Sequence, residues 1–393
     1  MHNIIIYYAY YDILYIYKKK KENMKSYNHL YEKFIETDNI KLAIEKSSIG
    51  KRDREDVQYY YYNMNDEDII NKIRKYAMNF KNKEHKPIEI YDGIVKKVRI
   101  IVVPKYEEQI IHHMVINVLE PIFLKGMYEH SNGSIPGRGI HRTKKYTEKF
   151  IRKKENKKHI KYCLKMDIKK YFNTIPHDKL IEKLEKIIHD EKFMDVLREL
   201  ISATDEGIPL GFYTSQWFAN WYLQDLDHYI KEELHAKFYT RYMDDMVIFG
   251  SNKRKLHDMQ IKINEYLNNK LGLKMKENWQ VFRFDYIKDG EHRGRCLDFV
   301  GYKFYRDKTT LRKSIMFRIL RKSKKMSKKD KITVYDCRQI LSYIGWIDSS
   351  DTYNIYLTSI ERNISFQYCK RKVSKYDKEK NKQKKRKENI YVA

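Results

Sequence analysis

Two adjacent carboxylates, Asp244 and Asp245, stand between the apolar runs Phe238-Tyr239-Thr240 and Met246-Val247-Ile248-Phe249, and Gly250 closes the second run. Two short apolar segments around a polar tip predict a β-hairpin with Tyr242-Met243-Asp244-Asp245 at its turn. A lone Asp-Asp pair is commonly a solvated turn, but these flanks are too apolar for a surface loop. On a buried hairpin the two like charges repel unless a cation lies between them. The pattern therefore calls for a divalent ion and a third acid.

That acid is found upstream, where Tyr162, Leu164, Met166 and Ile168 alternate with Cys163, Lys165 and Asp167. Period-two alternation predicts a strand with Asp167 on the face opposite the apolar set. A helical stripe follows at Leu180, Ile181, Leu184, Ile187 and Ile188. Between the acidic elements, the loop Gly207-Ile208-Pro209-Leu210-Gly211 leads into Trp217, Phe218, Trp221, Tyr222 and Leu226 at helical spacing, with Thr214 or Ser215 as the expected N-cap. Farther on, Leu297-Asp298-Phe299-Val300-Gly301-Tyr302-Lys303-Phe304 reads as a second hairpin.

In this order the segments resemble the palm motifs of reverse transcriptases: an acidic strand, a glycine loop and helix, a Tyr-X-Asp-Asp hairpin and the Phe-X-Gly-Tyr primer-grip hairpin. Upstream, Lys97-Val98-Arg99-Ile100-Ile101-Val102-Val103-Pro104 and Gly133-Ser134-Ile135-Pro136-Gly137-Arg138-Gly139-Ile140-His141 are similar to the fingers motifs of the bacterial enzymes. The resemblance covers residues 97–324 and continues weakly toward 360. Ser215-Gln216 stands where group II intron and retroviral enzymes usually carry Ser-Pro. It is similar to the form in diversity-generating retroelement enzymes and in related unassigned and defence-associated bacterial or phage reverse transcriptases.

The resemblance implies an α+β right-hand polymerase fold, with fingers, a palm of antiparallel sheet packed on helices, and a helical thumb. The expected division is a start-site extension or flexible leader at 1–23, N-terminal region and fingers at 24–160, palm at 161–305 with a fingers insertion around 175–205, thumb at 306–369 and a basic disordered tail at 370–393. It implies RNA-directed DNA polymerase activity, making cDNA by two-metal nucleotidyl transfer in a retroelement or phage-defence setting. The competing readings are a non-catalytic nucleic-acid-binding scaffold on a polymerase fold, and template-independent or protein-primed DNA synthesis.

The same resemblance assigns roles residue by residue. Asp167 and Asp244 bridge two Mg²⁺ ions, for which Mn²⁺ can substitute; the Ile168 carbonyl is a further ligand, and Asp245 assists at the primer side. Lys97 and Arg99 neutralise the incoming triphosphate, with Arg138 in a like role. Phe172 lies beneath the sugar and selects deoxynucleotides. Leu210, Gly211 and Gln216 complete the nucleotide site, while Tyr242, Gly301 and Tyr302 hold template and primer. RNA template, DNA or RNA primer and dNTPs are the implied partners, with a cognate non-coding RNA or small accessory protein beside them.

Composition agrees with a polyanionic partner. Lys and Arg number 81 against 53 Asp and Glu, a formal net charge of +28, while an apolar fraction of 42% excludes wholesale disorder. Cys163, Cys296, Cys337 and Cys369 form no C-x-x-C pair, so neither a zinc site nor a disulfide framework is expected and a reducing cytoplasm suits them. The apolar start, residues 4–17, is shorter than the roughly 20 residues that span a bilayer, so no membrane partner is expected.

Overall fold

The computed structural model of the protein describes residues 26–92 and 97–392. The leader expected at 1–23 lies outside the described residues.

The first described helices, α1 (Leu30–Ile35), α2 (Thr37–Ser48), α3 (Glu55–Tyr62) and α4 (Glu67–Met78), are short and amphipathic. A two-stranded antiparallel ribbon follows, β1 (Ile88–Asp92) and β2 (Lys97–Ile101). Helix α5 (Tyr106–Lys125) buries Ile110, Ile111, Met114, Val115, Ile116 and Leu119 over most of its circumference, leaving a half-buried polar stripe of Gln109, His113, Asn117 and Glu120. A helix with so wide an apolar face belongs largely inside a core, and α5 forms the axis around which the N-terminal helices pack. Helix α6 (Ile140–Arg152) then leads to the central sheet.

That sheet has the order β4-β5-β3-β6, formed by β3 (Tyr162–Met166), β4 (Phe238–Tyr242), β5 (Asp245–Gly250) and β6 (Gln280–Arg283), with every pairing antiparallel. Between β3 and β4 the chain forms α7 (Tyr171–Thr174), α8 (His177–Glu185), α9 (Glu191–Ile201), α10 (Tyr213–Tyr222) and α11 (Gln224–His228). Helix α12 (Lys253–Asn269) connects β5 to β6.

Side chains alternate across the sheet as a period of two requires. Leu164, Met166, Tyr239, Met246 and Ile248 join the large core around α5, whereas Cys163, Phe238, Val247 and Phe249 join a second apolar cluster. The strand read as apolar on one face is therefore covered on both, Cys163 being fully buried on the Asp167 face. The second cluster is completed by the sheet β9 (Leu297–Phe299), β10 (Tyr302–Phe304) and β11 (Thr309–Leu311), and by helices α13 (Lys313–Ser327) and α14 (Val334–Leu341), which follow a small β7 (Tyr286–Lys288) and β8 (Glu291–Arg293) ribbon.

Two expectations are corrected. Helix α10 starts at Tyr213 with Phe212 as N-cap and no capping side chain; Thr214 Oγ1 instead pairs with buried His112 Nδ1 at 2.9 Å. The lysine-rich segment expected to be a disordered tail is helical, within a helix over Phe366–Val392. Phe366 and Cys369 are buried against the second cluster and anchor its first turns, and Lys, Glu and Gln are good helix formers once a helix is nucleated. No described helix is long and apolar enough to cross a membrane.

Candidate active site

The three acids meet through sheet register. Met166 at the end of β3 pairs with Met246, so Asp167, the next residue, comes alongside Asp245 at the start of β5. Tyr242 pairs with Asp245, leaving Met243 and Asp244 as a two-residue hairpin loop, with Met243 at φ 54°. Asp167 and Asp245 emerge on the same sheet face as Cys163, Val247 and Phe249. The second cluster covers that face only partway. Beyond its edge lies a groove of about 290 Å³, lined by Lys165, Asp167, Gln280, Phe282, Asp298 and Arg312 among others.

Crowding these acids in a buried site has an electrostatic cost. Burial, reinforced by the negative charge of Asp167, pushes the Asp244 carboxyl up to about 7. Asp245 is pushed up to about 6, again chiefly by burial, against the opposing pull of Lys165, whose Nζ lies 3.3 Å from Asp245 Oδ2. Lys276 Nζ donates to Asp167 Oδ2, and its backbone N–H donates to the Asp167 carbonyl at 2.8 Å.

The remaining carboxylate oxygens suit a cation. Asp167 Oδ1 and Asp245 Oδ1 are buried with no hydrogen-bond partner among the described residues. Buried acceptors are ordinarily satisfied. Hard oxygen donors that repel one another and keep lone pairs uncommitted suit a divalent cation such as Mg²⁺. Ile168, whose carbonyl belongs to the expected ligand set, is fully buried and bridges to Met275.

Around this centre the glycine loop is fixed to the end of β2. Val102 N–H donates to the Leu210 carbonyl at 2.7 Å, and Gly211 sits at φ +114° with the position of a Cβ only 2.1 Å from the Val102 carbonyl oxygen. No side chain fits there. Leu210 is half-buried and Gln216 exposed. Half-buried Phe172 packs at the edge of the large core and accepts from Ile208 N–H through its carbonyl at 2.7 Å. Arg99 is exposed on β2; the Lys97 backbone belongs to β2, while its side chain lies outside the described residues.

Three further residues are committed to the fold. Arg138 Nη1 donates to the Tyr128 and Ser131 carbonyls, each at 2.9 Å, and so braces the loop beside the hairpin. Gly301 at φ +86° turns the β9–β10 hairpin where a Cβ would strike the Trp346 ring at 2.6 Å. Tyr302, expected at the primer, has no exposed surface: its hydroxyl pairs with Ser349 Oγ at 2.7 Å and its ring packs 5.1 Å from Trp346. Its side chain supports the hairpin from beneath, where Gly301 is itself buried and Val300 at the turn is half-buried. Tyr242 is half-buried beside the acids.

Sequence reasoning missed Lys165, Lys276 and the buried Asp227–Arg241 pair. Arg241 left one signal, a cation inside an otherwise apolar strand, which requires an acid somewhere in the core. Lys276 left none, because it lies 109 residues from the acid it pairs with.

Residues 81–304 match the family described as reverse transcriptase (RNA-dependent DNA polymerase). That is more than half of the 393 residues, and the chain belongs to this family; its α+β architecture is the right-hand polymerase fold. The putative COX1/OXI3 intron 2 protein of Saccharomyces cerevisiae is 31% identical over 142 residues, 32% of this chain and 16% of that protein. The retron Ec73 reverse transcriptase of Escherichia coli is 26% identical over 106 residues, 24% of this chain and 34% of that one. The chain thus matches a minor part of the length of these relatives. Among solved structures, apo telomerase from Candida tropicalis is similar at a TM-score of 0.48 and 14% identity, covering 78% of this chain and 63% of that chain.

Proposed function

We propose that the protein is an RNA-directed DNA polymerase that extends a DNA or RNA primer on an RNA template. The observation that carries this is the meeting of Asp167, Asp244 and Asp245 beside a groove, with two buried carboxylate oxygens left without partners. Asp167 and Asp244, with the Ile168 carbonyl and with Asp245 at the primer side, would hold two Mg²⁺ ions, or Mn²⁺ in their place. Bound there, the cations supply the charge that acidifies the primer 3′-hydroxyl and steadies the leaving pyrophosphate.

The chain's own residues do the rest. Lys165 and Lys276 engage one oxygen each of Asp245 and Asp167 and orient the opposite oxygens inward. Gly211 lets the loop backbone approach the end of β2, forming one wall of the nucleotide site with Leu210 and Gln216. Lys97 and Arg99 on β2 answer the triphosphate charge. The Phe172 ring excludes a 2′-hydroxyl, selecting dNTPs, while Tyr242 and the Gly301 hairpin tip support template and primer. In this reading the N-terminal region and fingers comprise 24–160, the palm 161–305 and the thumb 306–369. The excess of basic residues serves the nucleic-acid backbone.

The resemblance at Ser215-Gln216 favours a retroelement or phage-defence setting in which the template is an RNA encoded near the gene, with a small accessory protein as a further partner. Sequencing nucleic acid that co-purifies with the full chain tests this. A single RNA species with attached cDNA supports it; random cellular RNA without cDNA contradicts it.

A further inference from the structure

Arg241 is, after Trp217, the largest side chain without exposed surface among the described residues. It lies on β4, one residue before the hairpin tip that carries two of the acids. Its partner Asp227, on α11, is equally buried. Nε donates to Asp227 Oδ1 at 2.8 Å and Nη2 to Oδ2 at 2.5 Å, a fork that matches both carboxylate oxygens. Tyr239 Oη adds a third bond to Asp227 Oδ1 at 2.6 Å.

The remaining guanidinium donors point at the hairpin. Nη1 donates to the Met243 carbonyl at 2.9 Å and approaches Asn220 Oδ1 at 3.4 Å, while Nη2 reaches the Asn220 carbonyl at 3.3 Å. Met243 is the loop residue in the left-handed region, a conformation strained for any residue that bears a side chain. It is held from two other sides: Asn220 Nδ2 contacts Met243 Sδ at 3.1 Å, and Gly133 packs so closely that a Cβ there would lie 2.5 Å from Met243 Cγ. Asn220 Nδ2 also donates to the Gly133 carbonyl at 2.6 Å, tying both supports together.

We infer that Arg241 is a positioning residue: clamped by Asp227, it grips the Met243 carbonyl and thereby fixes the strained loop that delivers Asp244 to Asp167. A buried ion pair is an expensive way to gain stability, since well-packed apolar residues do as well. What a guanidinium offers in addition is a fixed fork that can hold an acid on one edge and a carbonyl on another. Lysine preserves the charge and loses that geometry.

The inference rests on the polymerase reading for its kinetic arm, and a metal-binding arm keeps it separable. For Arg241→Lys, primer extension on RNA should show kcat reduced about tenfold or more, the scale expected when a reacting group is slightly misplaced, with dNTP KM and duplex Kd within about threefold. Calorimetric titration with Mn²⁺ alone should show affinity reduced by a similar factor, with cooperative melting retained. Asn220→Ala, which removes only the secondary support, should shift both readouts the same way by about threefold, and it serves as the deciding variant should Arg241→Lys not fold. Wild-type kcat and Mn²⁺ affinity in a folded Arg241→Lys, or a loss confined to KM, overturns the inference. An inactive wild type refutes the polymerase reading and leaves the Mn²⁺ comparison to decide the role of Arg241.

Discussion

Replacing Asp244 by Asn should make the metal-free protein more stable at neutral and alkaline pH while removing a residue proposed to be essential for catalysis. Burial and the Asp167 charge raise the Asp244 carboxyl from 3.8 to about 7. Between those values the folded state binds more protons than the unfolded chain, so the stability of the wild type falls as pH rises and the loss is complete above the folded value. At 1.36 kcal/mol per unit, the shift corresponds to about 4 kcal/mol, and water in the open groove screens this toward about 2 kcal/mol. Asn cannot ionise and avoids the penalty. Urea denaturation with chelator present, at about pH 5 and about pH 8, should therefore show Asp244→Asn gaining about 2 kcal/mol over the wild type at the higher pH, with a smaller difference at the lower one. Mg²⁺ or Mn²⁺ should stabilise the wild type and close the gap. Equal stability of the two proteins at both pH values would refute the view of the acids as mutually repelling groups awaiting a cation.

Gly211→Ala should raise the dNTP KM by about tenfold or more with little change in duplex affinity, because a Cβ at 2.1 Å from the Val102 oxygen forces the loop off β2; steady-state kinetics and filter binding would show it. Leu210→Gln should change error rate more than melting temperature, since a glutamine adds a hydrogen bond worth on the order of 1 kcal/mol near the nascent pair. Sequencing products from one defined RNA template measures this, and indistinguishable error spectra would assign Leu210 to packing. Affinity for an RNA–DNA duplex should fall steeply with salt, and ending the chain at Tyr376, beyond the buried Phe366 and Cys369, should lessen that slope without stopping synthesis.

The elements that carry the acids were legible because their signals are local. Alternation in residues 162–168 and the paired apolar runs around Asp244 and Asp245 define strands and a turn without knowledge of the rest of the chain. Glycines at 211 and 301 marked turns for the same reason. What could not be read were partnerships across sequence: Lys276 with Asp167, Lys165 with Asp245, Arg241 with Asp227. A motif residue can also double as core, which the motif alone does not reveal, as at Tyr302, whose ring the second apolar cluster encloses. The lysine-rich end was read from composition alone, which registers missing apolar residues but not the anchored first turn from which a helix of good formers can extend.

Asp167, Asp244 and Asp245 are proposed to perform metal-dependent nucleotide addition on an RNA template. This role is tested most directly by primer extension with purified wild type, Asp167→Ala and Asp244→Ala on one RNA–primer duplex, with duplex binding measured on the same samples. Mg²⁺-dependent incorporation is expected for the wild type, none for either variant, and duplex affinities within about threefold, because ligands for metal are lost and basic surface is not. Undiminished incorporation by Asp244→Ala would contradict this role.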